Sequence, residues 1–196
     1  MTETSTTQIT GGNNQVLPQA QMGIQVYHQQ LPAQTSRLEA LFQQLEREFQ
    51  QNEQLQQVLD DLKRYRTKLR HTPGLKVKLQ DGGFKESGIS QATRSKQAYV
   101  KRATQYQYYE SAQRIDAYLL AQLLYAFNPY ALPAIERGEP LGTVRQLVQE
   151  KVISPVLAEL NTCGPYDTLL HYTADHLYGM VYYLTGKCFI NWKDYE

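Results

Sequence analysis

Asp167, His171 and Asp175 stand four residues apart. On a helix that spacing lays a carboxylate on either side of an imidazole along one stripe, which is how a proton relay or a set of metal ligands is presented. Neither a fourth ligand nor a nucleophile stands beside the three. A capped, hydrogen-bonded helix face is therefore the favoured reading, and a metal-dependent hydrolase centred on them is the alternative. Cys163, His171, His176 and Cys188 are zinc-ligand types, yet the intervals between them fit no common finger, and His171 and His176, five apart, point to different sides of a helix. No metal and no other cofactor is expected. Cys188 reads as a small buried residue, because free cysteines are commonly buried and no activating setting surrounds it.

A second kind of chemistry is electrostatic. The net charge of the 196 residues is only +1, but residues 63–102 hold twelve Lys or Arg against Asp81 and Glu86, a basic band on an acidic remainder. With Tyr65, Tyr99, Tyr106, Tyr108 and Tyr109 in or just beyond it, the band has the composition of a nucleic-acid surface, where cations neutralise phosphates and aromatic faces stack bases. Lys63, Arg64, Arg66, Lys68 and Arg70 are the candidate contacts. On an ideal helix, however, these five spread over more than half the circumference and leave only the Leu62–Tyr65–Leu69 side apolar, so a solvated face or an acidic partner suits them equally. No Walker A loop, dinucleotide glycine pattern, serine elbow, HExxH or EF-hand loop is present. The protein is read as a non-enzyme.

The elements that position these residues follow from periodicity. Residues 1–34 are rich in Thr, Gln, Asn and Gly with few large apolar residues, and are expected to be a disordered tail. Over 35–73, Ser36 and Glu39 form a capping box, and Leu38, Leu41, Leu45, Leu55, Leu59, Leu62 and Leu69 share one heptad frame. This predicts a single long amphipathic, coiled-coil-like helix to about Arg70, packing either on its own domain or, through Leu55, Leu59 and Leu62, on another chain. Glu48, Asn52 and Arg66 are polar intrusions at core positions of that frame. The break at His71-Thr72-Pro73-Gly74 is followed by a helical domain over 74–196.

Within that domain Leu75, Val77 and Leu79 alternate with Lys76, Lys78 and Gln80, which alone suggests a strand. Asp81-Gly82-Gly83 is a turn. A long helical region with one break runs from about Ser87 to Phe127, where Asn128-Pro129 interrupts it. A short piece ends at Gly138, and the helix over 142–160 is bent at Pro155. Asp167 is the expected cap of the last helix, in which Leu177, Met180, Val181 and Leu184 recur before the stop at Thr185-Gly186, with a short extended finish through Cys188, Ile190 and Trp192.

The finish reads Leu184-Thr185-Gly186-Lys187-Cys188-Phe189-Ile190-Asn191-Trp192. It resembles the closing motif, Leu-Thr-Gly-Asn-Cys-His-Ile-x-Trp, of the helical C-terminal domains of ABC-three-component systems. In these prokaryotic conflict systems an SMC- or Rad50-like ABC ATPase works with a middle component and an effector-linked component. Tyr109-Glu110-Ser111-Ala112-Gln113-Arg114-Ile115 and Ile153-Ser154-Pro155-Val156 are also similar to the family. The chain departs at Lys187 and Phe189, so it lacks whatever chemistry the family's Asn or His performs there. The resemblance implies an all-α fold, a short helix in place of the strand at Leu75, and a docking role on the ATPase or middle component of an antiviral or anti-plasmid system. Homo- or hetero-oligomers follow from that role. Tyr182, Leu184, Phe189 and Trp192 are then docking or core residues, and ATPase and effector activities lie on other chains. Only Cys163 and Cys188 are present and the N-terminus has no signal-peptide pattern, so a cytoplasmic location is expected; no apolar run is long enough for a membrane role.

Overall fold

A computed structural model describes residues 36–67 and 73–195. The expected tail, and Lys68, Leu69, Arg70, His71 and Thr72, lie outside these described residues. Among them every regular element is helical, as expected, including Leu75–Asp81.

Ser36 does cap the first helix, α1 (Arg37–Gln51): its Oγ accepts the Glu39 N–H at 3.1 Å. The single long helix expected beyond it is corrected by the structure. α1 ends at Asn52, which adopts the left-handed conformation (φ 54°, ψ 36°), and α2 (Asp60–Arg66) starts only after an irregular connection. Asparagine tolerates that conformation because its short polar side chain can hydrogen-bond locally, here accepting from Gln54 Nε2 at 3.2 Å, and an Asn there stops a helix as a glycine does. Leu55 and Leu59 consequently sit half-buried in the connection, outside any helix, while Leu62 is buried in the core. No continuous heptad seam runs through the three. Leu38, Leu41, Phe42 and Leu45 face inward, and α1 packs on its own chain.

The remaining helices are α3 (Leu75–Asp81), α4 (Glu86–Gln105), α5 (Glu110–Tyr130), α6 (Leu132–Glu136), α7 (Leu141–Leu147), α8 (Ser154–Thr162) and α9 (Ala174–Gly186). In α3 the buried set is Leu75, Lys78 and Leu79, a helical stripe, and Val77 faces out. α5 is the centre: α1, α2, α4, α6, α8 and α9 all pack on it, and Leu119, Leu120 and Leu123 are fully buried. It runs past Pro129 by one residue, contrary to the expected stop at Asn128-Pro129, because the missing donor falls in the last exposed turn. Between α7 and α8, residues Val148–Ile153 form a π-helical segment. Pro155 has no N–H for the carbonyl four residues back, and the Ser154 N–H reaches Gln149 O, five back, with its Oγ donating to the same oxygen at 2.8 Å. The expected bend is thus a widened turn.

Candidate functional site

The closing motif folds back as an anchor for three helices. Trp192 is only 5 % exposed, lies edge-on to Phe84 and Phe127 at 4.9 and 5.7 Å, stacks on Tyr182 at 6.3 Å, and donates its indole N–H to Thr185 Oγ1 at 3.0 Å. Leu184 is fully buried and Tyr182 nearly so, which places both in the core; Phe189 is half-buried. The expected extended finish is instead irregular: Cys188 takes φ 71°, and no strand forms among the described residues. Asn191 Oδ1 accepts the Lys78 ammonium at 2.6 Å, and Ile190 O accepts it at 3.4 Å. This pairing satisfies a lysine only 3 % exposed.

The two departures from the family motif share a purpose. Lys187 Nζ donates to Arg66 O, at the C-terminus of α2, and the Phe189 ring meets Tyr65 of α2 at 5.4 Å. A cation on a helix C-terminus is favourable in its own right. Both side chains therefore fasten α2 to the closing motif.

Ser111 and Gln113, in the second motif, hold the rest of the N-terminal segment. Glu48, at a polar core position of the heptad frame, is 6 % exposed and accepts from the Ser111 N–H at 3.0 Å and its Oγ at 2.8 Å. A carboxylate thus meets the positive end of α5. Gln113 Oε1 accepts the Leu59 N–H at 2.6 Å, and its Nε2 donates to Gln107 O and Gln57 O. The break between α4 and α5, which no Pro or Gly marks, is held open by that bond to Gln107 and by the Leu55 N–H on Tyr108 O at 2.6 Å.

The stripe of Asp167, His171 and Asp175 does not form, because residues 167–173 are not helical. Asp167 accepts the backbone N–H groups of Leu170, His171 and Tyr172 at 2.8–3.0 Å, and so shapes a loop with His171 at φ 47°. It is not the cap of α9; Thr173 is. Asp175 accepts from Ser95 Oγ at 2.6 Å. Among the described residues no group of three His, Cys, Asp or Glu could hold a metal.

A different polar cluster replaces it, at the junction of α2, α4, α5 and α9. Tyr172 OH donates to Asp116 Oδ1 at 2.5 Å, the Arg102 guanidinium lies 5.8 Å over the Tyr172 ring, and Arg102 Nε–H donates to His176 Nε2 at 3.3 Å. Burial, and then the Arg102 charge, holds His176 below its ordinary pKa. Asp116 is 4 % exposed, and burial, opposed by the Tyr172 hydrogen bond and by Arg66 and Arg102, pushes its carboxyl from 3.8 up to about 6. Asp116, Arg66, Tyr99, Val100, Ala103, Thr104, Gln107, Tyr183 and Leu62 line one pocket of about 90 Å³. Sequence reasoning gives Asp116 no role, takes Arg102 only as the end of the basic band and Tyr172 only as a core or interface residue of the last helix. The available signal was an acid four, seven and eleven residues before Leu120, Leu123 and Phe127, on the buried face of the central helix.

A raised carboxyl pKa fixes the sign of a pH effect. The folded state holds the Asp116 proton where the unfolded chain has lost it, so this contribution to stability is complete below about 3.8 and is lost as pH rises through about 6. Asp116→Asn keeps an acceptor for Tyr172 without the charge. Relative to wild type it should stabilise the protein at neutral pH by about 1–3 kcal/mol, the difference vanishing toward pH 4. Denaturant melts of both proteins across that range check it; a variant less stable at neutral pH would contradict the burial cost.

Folding engages part of the basic band. Lys78 is buried, Lys63 pairs with Asp60 at 2.9 Å, Lys76 with Glu86 at 3.3 Å, and Arg102 is engaged with His176 and Tyr172. Arg64 lies 4.7 Å over the Tyr65 ring, and Arg66 lines the pocket. No helix among the described residues is long and apolar enough to cross a membrane.

C-terminal domain 9 of the ABC-three component (ABC-3C) systems is the family whose pattern matches, over residues 74–192. No curated protein and no solved structure matches the chain.

Proposed function

The chain belongs to the C-terminal domain 9 family of the ABC-three component systems, and from that membership we propose that it is a non-enzymatic assembly subunit that docks on the SMC-like ABC ATPase or the middle component of its system. The observation that carries this reading is where the motif residues go. Ser111, Gln113 and Trp192, which match the family pattern, bind other parts of the same chain, as do Lys187 and Phe189, which depart from it, and Asn191, so the motif stretches build a scaffold. The groups that suggested hydrolytic or metal chemistry are engaged in the same way: Asp167 on three backbone N–H groups, Asp175 on Ser95.

Residues 36–67 lie outside the family match, yet α1 and α2 are fixed to it by Glu48, Gln113, Lys187 and Phe189. In this reading they take the place that an effector domain holds in a fused protein, and they present one rigid body to the partner. Such a subunit works in the cytoplasm, in a hetero-oligomer, as part of an antiviral or anti-plasmid response. The nucleic-acid reading has less support, because Lys78, Arg66 and Arg102 of the band are taken up within the protein.

Affinity purification of a tagged copy from its native cells, at moderate salt and with nuclease treatment, tests the proposal. An SMC-like ATPase or its middle component should co-purify and be identified by mass spectrometry. A protein that emerges alone after nuclease treatment, and with nucleic acid when untreated, would overturn it.

A further inference from the structure

The pocket at the α2–α4–α5–α9 junction brings charges of both signs to one lining. Its lining includes one carboxyl, Asp116, and one guanidinium, Arg66, brought from helices far apart in sequence. They interact electrostatically, yet among the described residues they form no direct ion pair. Tyr99 and Tyr183, edge to face at 5.3 Å, form an aromatic wall, and Thr104 and Gln107 add polar groups toward solvent.

The two charges select the ligand. A simple cation on Asp116 would face Arg66, and Arg102 beyond the lining, and a simple anion on Arg66 would face Asp116, whereas a molecule carrying both signs meets an opposite charge at each end. The pocket, at about 90 Å³, takes only a small molecule or one end of a larger one. We propose that this pocket binds a small zwitterion of the α-amino-acid class, with its ammonium on Asp116 and its carboxylate on Arg66.

Keeping Asp116 ionised in a buried position opposes folding, and a ligand ammonium offsets that burden, so occupancy stabilises the protein. Because Leu62 and Arg66 belong to α2, occupancy also holds α2 against α4, α5 and α9. The inference goes beyond the docking role and does not depend on it.

Calorimetric titration of the full chain with glycine, to tens of millimolar because so small a ligand binds weakly, tests this, with glycinamide and N-acetylglycine as the single-charge comparisons. Glycine should bind saturably and slow amide exchange in α2, and neither comparison should do so. Asp116→Asn and Arg66→Gln should each weaken glycine about ten- to a hundredfold, the loss of one charge-assisted hydrogen bond; circular dichroism confirms that both variants are folded. The proposal is overturned if glycine does not saturate the wild type, if both folded variants bind it as well as the wild type does, or if either comparison binds equally.

Discussion

Trp192→Ala should destabilise the protein by about 3–5 kcal/mol, the range for emptying a buried aromatic site. The indole touches side chains from three places: Phe84 in the turn before α4, Phe127 near the end of α5, and Tyr182 in α9. Removing it leaves a void that cannot collapse from one side. Gly82 marks how tightly the region closes, since a Cβ there would lie 2.5 Å from Trp192 Cβ and 2.8 Å from Trp192 O. With a typical urea dependence of about 1–3 kcal/mol per molar, the midpoint should fall by about 2 M. Trp192→Phe restores most of the area and removes only the N–H bond to Thr185, whose hydroxyl still donates to Val181 O at 2.9 Å; it should cost about 1–2 kcal/mol. Trp192 is the single tryptophan, so circular dichroism must follow the melts. A Trp192→Ala protein as stable as wild type would remove the closing motif from its structural role.

Gly179→Ala should also destabilise, by about 2–3 kcal/mol, although alanine is the better helix former by about 1 kcal/mol. The sign is therefore the test. In the contact between α4 and α9, a Cβ at residue 179 would meet Ser95 O at 2.3 Å, Ser95 C at 2.9 Å and Tyr99 Cβ at 2.9 Å. Two of these atoms are backbone and do not rotate away, so the helices must separate. Separation loosens the Tyr99–Tyr183 ring contact and the Ser95–Asp175 hydrogen bond. Urea denaturation of the variant decides between close packing, which gives a loss, and helix propensity alone, which gives a gain.

How far the sequence reveals this structure depends on whether a residue's partner is local. The end of α9 at Gly186 and the cap at Ser36 are written in nearby residues, and both were legible. The strand-like alternation at Leu75 misleads because Lys78 is itself buried: its ammonium is taken by Ile190 O and Asn191, more than a hundred residues away. Only the resemblance to a known family indicated a helix there. The leucine heptads across residues 38–69 suggested one rod, but Asn52 in a left-handed conformation outweighed them, with Gln113 and Tyr108 supplying partners for the freed backbone. The even spacing of Asp167, His171 and Asp175 lost its helical meaning once Asp167 turned its carboxylate onto the backbone just ahead. The Asp116 cluster was the least legible, since four separate helices and a loop build it. An acid among the leucines of α5 was its one local trace.

The departures at Lys187 and Phe189 are explained by the same long-range contacts. Both side chains meet α2, which lies outside the residues shared with the family. That places the added N-terminal helices and the family domain in one structural unit, the form in which the protein is proposed to meet its partner.

The most direct measurement is size-exclusion chromatography with light scattering on the purified chain mixed, at moderate salt, with the purified ATPase and middle component of its own system. The expected result is co-elution with one of them at the mass of a stoichiometric complex. If the chain elutes separately from both at every protein concentration accessible, it is not an assembly subunit of that system.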